Sequence, residues 1–342
     1  MKTLEFYQVE CPKCHGLLNS AVSLSGHLSC IFCGTDFHVT ANISQKCEMP
    51  AQLVPFAASI DDFEQAAMKM LFDEDYAPPN VSEIISFKGV KGVYLPVYLY
   101  EGKYECSWSG KIKLAAADKS KKEYFRPHNG VAKGDFFILC MNVDGSETNK
   151  ELCEFVRGFD FRGDGAKPFH ADDLRGFYFL NRVHDAQKTW DQWGEEALHN
   201  LVRKNTLLQN GEVKDFKYGI ESEMQREGRF MFYPVWMLKY QYDEETHHIF
   251  MDGAGRNGIK GTTLVDRELK TEAEKPFKIL KYIAAVAIVI PLIALLAGWT
   301  TLAIAALAVT GLVFFGYRIY ARWFRKKVIR KARRKFGLKY KV

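Results

Sequence analysis

Four cysteines near the start of the chain carry the clearest chemistry. Residues 10–40 contain Cys11-Pro12-Lys13-Cys14 and, fifteen residues later, Cys30-Ile31-Phe32-Cys33-Gly34. Two C-x-x-C pairs at this separation match a four-cysteine zinc site. Each pair forms a tight knuckle whose backbone N–H groups point at the sulfurs, and two facing knuckles complete a tetrahedron around one Zn²⁺. Four thiolates leave no position for water or substrate, so Cys11, Cys14, Cys30 and Cys33 are read as a structural site. A unit of this size cannot hold itself together by apolar burial, and the metal supplies the folding free energy. His15, His27 and His38 lie close by and read as surface residues. The alternative use of the thiols, two disulfides, needs an oxidising compartment, and Met1–Glu10 has no apolar signal region.

Other catalytic patterns are missing. The chain has no G-x-x-x-x-G-K-[ST] loop, G-x-S-x-G or H-E-x-x-H. Asp160, Asp164, His170, Asp172 and Asp173 form an acidic, glycine-rich segment that reads as solvated. His184-Asp185 and His247-His248 read as surface pairs. The expectation is a protein that is not an enzyme.

The elements that position these residues read as α+β. Residues 1–46 form the ribbon. Ser59 and Asp62 make a capping box ahead of an amphipathic helix carrying Phe63, Ala66, Ala67, Met70 and Leu71. Strands follow from Ser86, with a turn at Glu101-Gly102-Lys103, and Pro96 implies an edge or a bulge. A second pass begins with a capping pattern at Thr189 and Gln192, a helix through Trp193, Leu198 and Leu201, and a strand at Phe216–Met224. The stretch Tyr94-Leu95-Pro96-Val97-Tyr98 returns as Phe232-Tyr233-Pro234-Val235-Trp236, 138 residues on. That recurrence predicts two duplicated helix-plus-antiparallel-sheet units, at 50–150 and 151–262, with a polar linker at 263–277.

The end of the chain is different in kind. Tyr282–Tyr317 is 36 residues without a charge. A bilayer core about 30 Å thick needs roughly 20 apolar residues per helix. With a break at Gly298-Trp299-Thr300-Thr301, the run predicts a transmembrane helical hairpin over 278–322 and a basic cytoplasmic tail over 323–342. Lysines before the run and basic residues after it place both termini in the cytoplasm of a multi-pass inner-membrane protein. The basic set is Arg318, Arg322, Arg325, Lys326, Lys327, Arg330, Lys331, Arg333, Arg334 and Lys335, read as facing an anionic leaflet. The overall charge of +6 is therefore misleading, since residues 1–274 hold 32 basic and 41 acidic residues.

The ribbon, Gly92–Tyr98, Leu174-Arg175-Gly176-Phe177 with Trp190 after it, Tyr233–Met237 and the hydrophobic end together resemble bacterial TFIIB-type zinc-ribbon membrane proteins, some labelled "primosomal helicase-like". The helicase label has no nucleotide-binding loop behind it. The resemblance implies a membrane-anchored adaptor that recruits an SPFH- or flotillin-like protein during envelope stress. The alternative is a membrane-tethered nucleic-acid-binding ribbon. Residues 1–50 oppose it, holding three Lys against four Asp/Glu, without the clustered cations that bind phosphates.

Overall fold

The computed structural model describes residues 3–74, 76–78, 80–114, 124–143, 147–210, 213–242, 244–296 and 300–335. In chain order the elements are β1 (Thr3–Glu10), β2 (Leu17–Ser20), β3 (His27–Ser29), β4 (Asp36–His38), β5 (Ile43–Glu48), β6 (Gln52–Leu53), α1 (Ile60–Asp73) and α2 (Val81–Ile84). Then come β7 (Lys91–Leu114), β8 (Tyr124–Met141), α3 (Glu147–Val156), β9 (Lys167–Pro168), β10 (Tyr178–Phe179), α4 (Ala186–Thr189) and α5 (Glu195–Asn210). The chain closes with β11 (Val213–Tyr242), β12 (Glu245–Asp252), β13 (Ile259–Gly261), α6 (Arg267–Leu296) and α7 (Thr300–Lys335). Residues 1–63, 87–240 and 247–261 form one compact unit, and 64–86, 241–246 and 262–342 form another.

The first unit is built on one large sheet in the order β13-β12-β11-β7-β10-β2-β1-β5. In addition, β8 pairs with β7, and β6 lies between β11 and β9. At its centre β7 and β11 run antiparallel. Strand alternation sends successive side chains to opposite faces. Val93, Leu95, Val97 and Leu99 meet Met231, Tyr233, Val235 and Met237 on one face, with Leu152, Phe155 and Val156 of α3. Tyr94, Tyr98 and Tyr100 join Phe230 and Phe232 on the other, with Leu198 and Val202 of α5.

The recurring Pro-Val motif pairs with itself. Tyr94 faces Pro234, Leu95 faces Tyr233 and Pro96 faces Phe232, so the register is symmetric about the Leu95–Tyr233 pair. The neighbours obey the same symmetry. β10 runs parallel to β7 at Val93 and Tyr94, as β6 does to β11 at Met231 and Phe232. Leu180 N donates to Tyr94 O and Val54 N to Phe232 O; Asn142 N donates to Pro96 O and Gly253 N to Pro234 O. This explains prolines in central strands. Each faces the point where one neighbouring strand ends and the next begins, so the missing N–H leaves no ladder bond unmade. The two copies thus share one sheet.

Local expectations were met unevenly. The Ser59–Asp62 box is present, with Asp62 accepting from the Ser59 N–H and hydroxyl at 2.8 and 2.7 Å, and Asp62 N donating to Ser59 Oγ at 3.1 Å. The second helix starts earlier than its Thr189 pattern predicts. Asp185 caps α4 by accepting from Lys188 N at 2.8 Å, and Thr189 is buried with its hydroxyl on Asp185 O. No turn forms at Glu101-Gly102-Lys103, because β7 runs straight through and the Phe136 ring lies over Gly102. Residues 115–123 and the break at Gly298-Trp299 lie outside the described residues.

In the second unit, Tyr76 packs with Val265, Ala273, Val328 and Ile329. Its hydroxyl donates to Glu274 at 3.1 Å, and its carbonyl accepts from Asp266 N at 2.9 Å. The uncharged run does not bear out the transmembrane hairpin. Among the described residues no helix is long and apolar enough to cross a membrane. The helices over the run are not bounded by it: α6 begins in the charged segment from Arg267, and α7 continues through Arg318 to Lys335. Each divides its length between an apolar and a charged part, and the two pack side by side. The fold is therefore mixed α+β with a large sheet and helices, and both the transmembrane hairpin at 278–322 and the multi-pass inner-membrane location are corrected.

Candidate metal centre

Both knuckles grow from strand ends. β1 delivers Cys11, and the turn Cys11–Gly16 is closed by Cys11 N to Gly16 O at 3.0 Å and His15 N to Cys11 O at 2.9 Å. β3 delivers Cys30, and its turn repeats the pattern with Cys30 N to Thr35 O at 3.0 Å and Gly34 N to Cys30 O at 2.9 Å. The residue after each second cysteine takes the left-handed conformation: His15 at φ 57° and Gly34 at φ 69°. Glycine adopts it freely. His15 does so while its Nδ1 lies 2.6 Å from Glu10 Oε1.

The four sulfurs lie within 4.8 Å of one another, an arrangement that could hold a metal ion. Cys11 Sγ and Cys33 Sγ are 3.5 Å apart, and Cys14 Sγ and Cys30 Sγ 3.6 Å. None of the chain's eight cysteines is in a disulfide. Cys11 and Cys30 are buried, Cys33 half-buried and Cys14 exposed. Phe32 N and Cys33 N point at Cys30 Sγ at 3.4 and 3.5 Å. Burial pushes the Cys30 and Cys14 thiols up. Burial acts the same way on Cys33, but the Thr35 hydroxyl, 3.2 Å away, the Thr35 backbone N–H and the Cys14 and Cys11 thiols together outweigh it and bring that thiol down to about 6. One sulfur is thus ready to bind as thiolate near neutral pH, and a cation would favour ionisation of the rest.

The knuckles are not solvent-facing loops. Cys11, Leu18, Cys30 and Ile31 belong to the same apolar cluster as Val93, Leu95 and Val235. β2 pairs with β10, and Asn19 Nδ2 donates to Phe179 O at 3.0 Å. Lys239 of β11 reaches the second knuckle, its Nζ donating to Phe32 O at 2.8 Å. Burial lowers the Lys239 pKa, while the nearby sulfurs of Cys33, Cys30 and Cys14 favour its charged form. This cation was missed in the sequence. Its signal was a lone lysine inside the apolar run Phe232–Tyr240, and the apolar Ile31-Phe32 between two ligands was the matching sign that the knuckle docks on something.

The remaining sites named from sequence are dispersed. In the acidic segment, Asp172 pairs with Arg175 at 3.0 Å, Asp173 with Lys167 at 2.7 Å and Asp160 with Arg162 at 3.7 Å. Among the described residues the cysteines are the sole group of three or more His, Cys, Asp or Glu side chains close enough together to hold a metal. His248 is not a surface residue: it is buried in β12, with Nδ1 2.9 Å from Glu151 Oε2. Arg318, Arg322, Lys326, Lys327, Arg330 and Lys331 are exposed on α7, and Arg333, Arg334 and Lys335 form its last residues. Arg325 is half-buried, with its guanidinium over the Tyr76 ring at 5.2 Å. No family model, curated protein or solved structure matches this chain.

Proposed function

We propose that the chain is a non-catalytic docking protein whose four cysteines hold a structural Zn²⁺. The carrying observation is the donor set. Four soft thiolates select a thiophilic ion of tetrahedral habit, and Zn–S bonds of about 2.3 Å place tetrahedral sulfurs roughly 3.8 Å apart, close to the 3.5 and 3.6 Å separations. Such an ion has every position filled by protein, so its chemistry is to fasten two knuckles to each other. A centre of this kind supports a binding surface. The partner the charge pattern favours is a protein, because residues 1–274 are net acidic and the ribbon has no cluster of cations. The partner class implied by the family resemblance is an SPFH- or flotillin-like protein.

The ribbon's last strand offers a place for it. β5 ends the sheet order, and Ile43 on it is 56% exposed. An open edge strand with an apolar side chain is a common template for an incoming strand. The test is affinity purification of the intact protein beside Ile43→Glu and Cys14→Ser. Wild type should recover one protein in constant ratio. Ile43→Glu should lose it while keeping one zinc, and Cys14→Ser should lose both. Recovery of no stoichiometric protein by wild type, or of nucleic acid in its place, overturns the proposal.

A further inference from the structure

We propose that His27 and His38, on the outer hairpin of the ribbon, form a second metal site for a divalent first-row transition ion, separate from the four cysteines. The two residues face each other across β3 and β4. The hairpin's hydrogen bonds identify the kind of pair they make. Cys30 N donates to Thr35 O and Val39 N to Gly26 O, so both Cys30–Thr35 and Gly26–Val39 are hydrogen-bonded pairs. Antiparallel ladders alternate, which makes His27–His38 a non-hydrogen-bonded pair, the kind with the closer side chains. Both imidazoles are exposed.

Their spacing matches chelation. The ring centroids are 5.1 Å apart with planes at 85°. Two imidazoles sharing one tetrahedral ion through bonds of about 2.0–2.1 Å bring their centroids to roughly 5 Å. An edge-to-face stack of the two rings falls in the same range, and the experiment separates the two. Ser29 and Asp36 occupy the next pair on the same face, hydrogen-bonded to each other, so the surroundings are polar. Imidazole suits Zn²⁺, Cu²⁺ and Ni²⁺, and water would complete the coordination. With two protein ligands against four, this site is the weaker one, and it fills after the cysteines.

The proposal is tested by titrating Zn²⁺ calorimetrically into full-length protein that already holds one equivalent. Wild type should show a further one-to-one event. His27→Asn or His38→Asn should weaken that event at least about tenfold, because a chelate becomes a single imidazole without the second ligand's effective concentration. Retention of the first zinc by both variants shows that the ribbon is folded. Absence of the second event from wild type, leaving the rings as a stack only, overturns the site. So does its survival in the His27→Asn/His38→Asn double variant, which would place it on other histidines.

Discussion

Lys239 stands where a tetrathiolate centre needs help. Four thiolates around a divalent ion leave a dianion, partly buried against an apolar sheet face, and an unpaired buried charge is costly. The Lys239 ammonium supplies the opposite charge while fixing the Phe32 carbonyl at 2.8 Å, which sets the second knuckle. Outer partners of this kind typically change metal affinity by about 10–100-fold. Lys239→Met is therefore expected to weaken metal binding by the four cysteines about tenfold in chelator competition, with Lys239→Arg retaining most of it. Equal affinity in Lys239→Met would reduce the lysine to a packing role. The cluster of four cysteines that could hold a metal was legible from sequence because a knuckle is local, and C-x-x-C fixes it within four residues. Lys239 was not, because its role needs the register that brings β11 beside a turn 207 residues away.

At the level of elements, sequence showed periodicity well and partnership poorly. Helix α1 and its Ser59 cap were visible because both are local. The repeated Pro-Val motif was visible too, yet nothing in one strand reveals that its partner is the other copy. Gly102 shows the same limit. Between Glu101 and Lys103 it resembles a turn, but its missing side chain makes room inside a continuous strand. A Cβ there would meet Glu223 O at 2.5 Å as well as the Phe136 ring. The backbone oxygen cannot swing away as a side chain would. Gly102→Val is expected to destabilise the protein by about 2–3 kcal/mol, the range of an overpacked site. Gly219, in the neighbouring strand β11, has no atom within 4 Å of its virtual Cβ. Gly219→Val should stay within about 0.5 kcal/mol of wild type. Denaturant unfolding distinguishes them, and equal midpoints would refute the close-approach account.

At the scale of the whole molecule, loss of a metal held by the four cysteines would reach beyond the knuckles. A ribbon read from sequence is a self-contained bead on 1–46, since its ligands and strands are all local. In the structure its knuckles share a core with the sheet centre, and β2 continues that sheet through β10 to β7. The second unit has its own cluster around Tyr76 and Ala273. Helices α6 and α7 also show why the uncharged run misled: hydropathy marks where charge stops, whereas helix length is set by backbone bonding that continues into charged sequence. Local opening follows such shared cores. Chelation of the metal from the intact protein should therefore raise amide exchange beyond the knuckles. Tyr178–Leu180 should lose protection because their neighbour β2 is no longer held in place, and Val93–Leu95 because their own neighbour β10 loosens with it. Amides of α6 from Lys270 to Lys281 should exchange as before. If deprotection stays within residues 11–39, the ribbon is a bead after all, and the metal staples the ribbon without bracing the sheet.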